Sequence, residues 1–182
     1  TQHAVEFMSL CIELRTKSFV ILRLCAFVTF VSFVLKCFYS ESPKGRKMKT
    51  VINCAHRGAM AAEPENTLRA FSRAAEMGAQ QVELDVILSG DGVPVVSHDP
   101  VPRGVEPAGG DLRKMTLPEI KKLRFRGEEI PTLQEAISLC REKNLLLNIE
   151  IKDPAALEKT VALIDSNSFH DRCQVSCFRY AV

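Results

Sequence analysis

The chain has 182 residues, 46% of them hydrophobic, with 24 Lys and Arg against 22 Asp and Glu. That is enough for one domain with its own core, and there is no repeat or low-complexity tract to suggest a fibrous or disordered chain. The small positive charge is uneven: residues 1–49 hold eight Lys and Arg and three Glu, and residues 50–182 hold sixteen against nineteen Asp and Glu, so most of the chain offers no basic surface for nucleic acid.

Residues 1–47 read as a leader. A 17-residue apolar run, 19–35, is broken by Arg23, preceded by Arg15 and Lys17, and followed by Lys36, Lys44, Arg46, Lys47 and Lys49. A membrane-spanning helix needs roughly 17–25 apolar residues, so the run sits at the lower limit. Two readings stand. One is an apolar leader helix that anchors the protein, with the heavier positive flank keeping the following domain in the cytosol. The other is upstream sequence foreign to the protein, whose cytoplasmic form then starts at Met48. The chain opens on Thr1, which is not a natural start. No small-residue cleavage site follows the run, which argues against a removed signal peptide. Residues 40–49, with Ser, Pro, Gly and charges, read as a linker.

Residues 48–182 read as the chemical domain. The stretch 51–55 is a short apolar run and predicts a buried strand. Asn66 or Thr67 can cap the helix that follows, in which Leu68, Phe71 and Ala75 recur at helical spacing and Gly78 marks the end. Residues 81–89 alternate strictly, with Val82, Leu84, Val86 and Leu88 on one face and Glu83, Asp85 and Ile87 on the other. One face then packs on helices and the other looks into a polar lumen. After an Asp91-Gly92 turn, 93–97 is a further strand that delivers His98. Thr116 with Glu119 and Thr132 with Glu135 are capping boxes that open two helices. Residues 145–152 form a strand with Leu145, Leu147, Ile149 and Ile151 on one side and Asn148, Glu150 and Lys152 on the other. Asp153-Pro154 starts a helix carrying Leu157, Val161 and Ile164, and 174–178 is a last strand.

Strands alternating with helices predict an α/β domain with a mainly parallel sheet. The 135 residues from Met48 to Val182 are about half of the roughly 250 that an eight-stranded TIM barrel needs. Five strands cannot close such a barrel: if the sheet belongs to one, as the resemblance given below implies, it is truncated to about its first five strands, with two open sheet edges. Seven cysteines, with no CxxC pair and no zinc spacing, predict buried structural thiols and no disulfide framework.

Glu83, Asp85 and Glu150 occupy lumen-facing positions on two strands. Like charges so close raise one another's pKa, a conflict that a divalent cation removes, and oxygen-only ligands suit Mg²⁺ or Ca²⁺. The looser geometry of Ca²⁺ favours it slightly. Arg57 offers a planar fork to a phosphate oxygen and Lys152 a point charge. His56 and His98, at the ends of different strands, can exchange a proton with an attacking hydroxyl or water and with a leaving alkoxide. Each residue alone has a plainer reading: Glu83 and Asp85 as a rim feature, His98-Asp99 as a turn, Glu150 and Lys152 as a cross-strand ion pair. Glu65 is either a first-turn helix charge or a support for the site. Asn66 and Thr67 are helix caps, and Arg103, Lys121, Lys122, Arg124 and Arg126 are solvated surface.

His56-Arg57-Gly58, Pro64-Glu65-Asn66-Thr67, Glu83-Leu84-Asp85, His98-Asp99 and Glu150-Ile151-Lys152 in this order resemble the glycerophosphodiester phosphodiesterase family, as does the filler Ile130-Pro131-Thr132-Leu133. The resemblance runs from about Ile52 to Phe178. It implies a TIM barrel that splits a glycerophosphodiester, a small-molecule substrate, into an alcohol and glycerol 3-phosphate. It also implies His56 and His98 as the acid–base pair, Glu83, Asp85 and Glu150 on the metal, Arg57 and Lys152 on phosphate, and Glu65 in support. Two departures stand out. Cys177-Phe178 replaces the usual Ser-Phe, and the loop 100–110 lacks the family's Arg-Thr-Thr, which bears on substrate preference more than on reaction type. Rival readings are a related barrel phospholipase acting on phosphoinositide or sphingolipid headgroups, and a non-catalytic membrane-anchored fragment.

Overall fold

A computed structural model describes residues 51–177 in full and, by backbone alone, residues 36–40 and 48–50. The expected leader helix over 19–35 and the Phe178 position lie outside the described residues. The strands are β1 (Lys36–Ser40), β2 (Met48–Ile52), β3 (Cys54–Ala55), β4 (Gln81–Leu88), β5 (Pro94–Val96), β6 (Val105–Glu106), β7 (Arg124–Phe125), β8 (Glu128–Glu129), β9 (Leu146–Ile151) and β10 (Cys173–Cys177). The α-helices are α1 (Leu68–Glu76), α2 (Leu117–Ile120), α3 (Leu133–Glu142) and α4 (Leu157–Ser166). Among the described residues no helix is long and apolar enough to cross a membrane.

The central sheet is a parallel ladder in the order β3-β4-β9-β10. Crossover segments containing α1, α3 and α4 separate its strands in sequence, as parallel pairing requires. Two expectations need correction. The strand at 93–97 does not extend this ladder: β5 folds back antiparallel on the end of β4, with Val86 opposite Val96. The turn at Asp91-Gly92, with Gly92 at φ +81°, is too short for a crossover. The first strand is also not continuous over 51–55. β2 pairs antiparallel with β1, which takes both ends of the expected linker into strands. At Asn53 the chain breaks off: its carbonyl accepts from both Gln80 and Gln81 N–H, and its own N–H donates to the Gln80 side chain.

The helix-facing side of the ladder builds the main core. Val82, Leu84 and Val86 of β4 and Leu147, Ile149 and Ile151 of β9 meet Phe71 of α1, Leu133 and Ile137 of α3 and Ile164 of α4. Phe71 and Phe169 are fully buried, each worth roughly 1.5–3 kcal/mol against exposure. The other face of β4 is mixed rather than polar throughout. Ile87 leaves the carboxylate row and joins Val95, Leu112, Ile120, Leu123 and Ile130 in a second apolar cluster. That cluster lies under an insertion between β5 and α3 that sequence reading left partly as loop: a 3₁₀ turn Leu112–Lys114, α2, and a small antiparallel sheet β6-β7-β8. Arg126 (φ +50°) and Gly127 (φ +88°) form the two-residue hairpin between β7 and β8, the positive pair that such a turn demands.

Both capping boxes form. The Glu135 carboxylate accepts from Thr132 N–H at 2.7 Å, and Thr132 Oγ1 accepts from Glu135 N–H at 3.2 Å. Glu119 accepts from Thr116 N–H at 2.8 Å. Cys140 is buried and Cys173 partly so, and burial pushes both thiols up to about 12, which leaves them inert.

Candidate active site

β3 ends in a turn that requires glycine at 58. Gly58 N–H bonds Ala55 O at 3.2 Å, and a Cβ on Gly58 would stand 2.8 Å from the Ala70 backbone. Gly58 also lies at φ +79°, so both space and backbone require glycine. Arg57, at φ +53°, is held in this turn by its N–H on Glu83 Oε2 (3.0 Å) and its carbonyl on Asn66 N–H (3.0 Å).

Register then assembles the acids. β4 turns Glu83 and Asp85 to the face away from the helices, and β9 sets Glu150 opposite Asp85 and Asn148 opposite Glu83. One carboxylate oxygen from each of Glu83, Asp85 and Glu150 lies within 4.8 Å of the others. Asp85 is fully buried and Glu83 is 6% exposed. Glu83 Oε1 and Asp85 Oδ1 are buried and accept no hydrogen bond. Lys152 Nζ stands 3.2 Å from Asp85 Oδ1, near enough for charge attraction but off the hydrogen-bond direction.

The expected phosphate cations lie against these acids. The Arg57 guanidinium places Nε 3.2 Å from Asp85 and Nη1 3.3 Å from Glu65, and Lys152 donates to Glu150. Glu65 thus pairs with Arg57, two residues ahead of the Thr67 cap. Counted formally, Glu65, Glu83, Asp85 and Glu150 face Arg57 and Lys152, which leaves two negative charges. Burial, then the Asp85 charge, pushes the Glu83 carboxyl up to about 7, against the Arg57 N–H that pulls it down. Burial works against the Lys152 charge, but the Glu150 hydrogen bond and the Asp85 charge outweigh it and raise its pKa. A surplus of two charges, an oxygen-only donor set and two unsatisfied buried acceptors fit a divalent cation.

His56 Nε2 stands 3.8 Å from Glu83 Oε2 on a largely exposed ring. Its pKa is lowered, first by burial and then by Arg57. His98 does not touch this group. It follows Ser97, whose N–H bonds Asp85 O at 3.0 Å, and its Nδ1 meets Asp99 Oδ1 at 2.9 Å. It lines a cleft of about 180 Å³ together with Glu65, Asn66, Arg103, Phe125 and Arg126.

One site residue was misread from sequence. Thr67 caps α1, its hydroxyl accepting from Ala70 N–H at 3.1 Å. Asn66 does not cap: it is buried at φ +58°, donates Nδ2 to Asp85 Oδ2 at 2.9 Å, and accepts from Asp85 N–H at 3.3 Å. A helix has one N-cap, so two capping residues in a row left one for other work. Arg103 and Arg126, read as solvated surface, are exposed and also line the cleft, whereas Lys121 and Arg124 are tied to Glu135 at 2.6 Å and Glu129 at 3.1 Å.

The model of the glycerophosphoryl diester phosphodiesterase family matches residues 56–173. A glycerophosphodiester phosphodiesterase of Caldanaerobacter subterraneus is 42% identical over 146 residues, which cover 73% of this chain and 60% of that protein. Glycerophosphodiester phosphodiesterase 1 of Bos taurus is 33% identical, covering 82% and 50%. The crystal structure of glycerophosphodiester phosphodiesterase from Agrobacterium tumefaciens superposes with a TM-score of 0.65 at 31% identity, over 70% of this chain and 58% of that one. A phosphodiesterase of Oleispira antarctica, in complex with the product sn-glycerol-3-phosphate, superposes with a TM-score of 0.62 at 36% identity, over 71% and 58%. The chain thus spans 50% to 60% of the length of these proteins.

Proposed function

Since the chain belongs to the glycerophosphoryl diester phosphodiesterase family, we propose that the full-length protein hydrolyses glycerophosphodiesters to an alcohol and glycerol 3-phosphate. The parallel ladder, within residues 48–182, is then the first part of a TIM barrel, with His56, Glu150 and Lys152 at or just past the C-terminal ends of β3 and β9, where such barrels keep their chemistry. The observation that carries the reading is the convergence of one oxygen each from Glu83, Asp85 and Glu150 within 4.8 Å, with Glu83 Oε1 buried and without a hydrogen bond.

Glu83, Asp85 and Glu150 would hold a divalent cation, with Ca²⁺ favoured over Mg²⁺ for its tolerance of loose geometry. When bound, it supplies polarisation of a phosphoryl oxygen. Arg57 and Lys152 neutralise charge on the remaining phosphate oxygens, and Glu65 fixes the plane of the Arg57 fork. His56, with its lowered pKa, stays neutral at physiological pH and suits the general base. His98 is the complementary acid. Asp99 at its Nδ1 orients the ring, leaving Nε2 to hand a proton to the leaving alkoxide.

The test is calorimetric titration of the full-length protein with CaCl₂ and MgCl₂, together with assays on a panel of glycerophosphodiesters. Uptake of one cation, lost in Asp85→Asn, with release of glycerol 3-phosphate is expected. Hydrolysis that persists undiminished in Asp85→Asn, or in chelator, sinks the reading.

A further inference from the structure

The insertion forms one wall of the cleft beside His98, and two of the cations there lack a carboxylate partner among the described residues. Arg126 N–H donates to Gly104 O at 3.0 Å, and Gly104, at φ +84°, follows Arg103, so the two arginines are brought to one wall. Among the described residues neither guanidinium has a carboxylate within ion-pair distance. The carboxylates that face the same space are engaged elsewhere. Glu65 meets Arg57 at 3.3 Å, Asp99 meets His98 at 2.9 Å, and Glu129 meets Arg124 at 3.1 Å. The aromatic on this wall, Phe125, has the Arg126 guanidinium over its ring at 5.4 Å. A quaternary ammonium would compete for a face that already carries a cation.

Position decides which half of a diester reaches this wall. Asn66 and Glu65, which floor the cleft, touch Asp85 and Arg57 of the carboxylate group, so a phosphate held there has the cleft on its His98 side. His98 is the group that protonates the leaving alcohol, and the alcohol therefore enters the cleft.

We propose that Arg103 and Arg126 bind a negatively charged group, a second phosphate or a carboxylate, on the alcohol half of the diester, and so select anionic alcohols over choline. This rests on the hydrolytic reading above for the orientation of the diester. Guanidinium groups suit such a group because their planar donors match phosphate and carboxylate oxygens in pairs.

The experiment compares glycerophosphocholine with a diester of glycerol and glycerol phosphate on the full-length protein. Calorimetry is run after removal of divalent cations, and kcat/KM is measured with cation restored. In both, a preference of about tenfold for the anionic diester is expected at low salt, as two exposed charges warrant. In 0.5 M NaCl it should shrink, since exposed charges are screened. Arg103→Gln with Arg126→Gln should bring the ratio near one, and the double Lys variant should keep most of it. Equal or better handling of the choline diester by the wild type overturns the proposal, as does a ratio that survives the double Gln variant or no measurable binding of the anionic diester. If neither diester is hydrolysed the hydrolytic reading fails, and the binding ratio still decides this one.

Discussion

Glu83 carries the conflict that the carboxylate group creates. Its carboxyl sits at about 7 rather than 4.5, so the folded protein keeps a proton that the unfolded chain gives up at lower pH. In the cation-free protein this contribution to stability is complete below pH 4.5 and is lost as pH rises through 7, on the order of 3 kcal/mol. Urea midpoints at pH 5 and pH 8 should therefore fall further apart in the wild type than in Glu83→Gln, and added cation should restore the pH 8 value. An identical pH response in both proteins contradicts this. Asn66 is the second residue whose work is electrostatic. Asn66→Ala should weaken cation binding by roughly 10- to 100-fold, the range for removing a group that orients a ligand. Thr67→Ala should cost about 1 kcal/mol of stability and leave cation affinity as it was. Calorimetry and melting curves on both variants separate the roles. Residue types could be read from the sequence, since carboxylates on a period-two strand point together. What Asn66 does could not, because its positive φ and its reach to Asp85 depend on the Gly58 turn.

At the scale of elements, local signals carried through wherever a short segment settles its own geometry. The capping boxes at Thr116 and Thr132, and the apolar alternation of β9, depend on residues two to four apart. The orientation of β5 and the existence of β6, β7 and β8 depend on pairing across the chain, such as Val105 with Phe125, and single-sequence periodicity is blind to it. Glycines illustrate the same division. Gly58→Ala places a methyl into the Ala70 backbone at positive φ, and we expect a loss above about 2 kcal/mol and displacement of Arg57. Gly78→Ala, at φ +83° with open space around it, should cost only about 1 kcal/mol. Chemical denaturation of the two variants checks the contrast.

The whole molecule shows how far pattern alone reaches. Alternating strands and helices implied a parallel α/β domain, and the ladder β3-β4-β9-β10 has that form. The expected count of five strands matches the sheet, but β5 joins it antiparallel as a hairpin on β4, and a hairpin and a crossover begin with the same apolar run. Phe71, at the junction of α1 with the ladder, holds this architecture. Phe71→Ala should cost 3 to 5 kcal/mol, read as a large drop in melting temperature.

β4 serves two masters. Val82, Leu84 and Val86 belong to one apolar cluster, Ile87 belongs to another, and Asp85 stands between them. The insertion is thus rooted only two residues from the acid wall, while Arg103 and Arg126 at its tip line the cleft. On the proposed reading, substitutions at that tip shift the preferred alcohol and leave the acids in place, whereas changes at the root move Asp85. Selectivity would then be a replaceable fitting on a fixed hinge post.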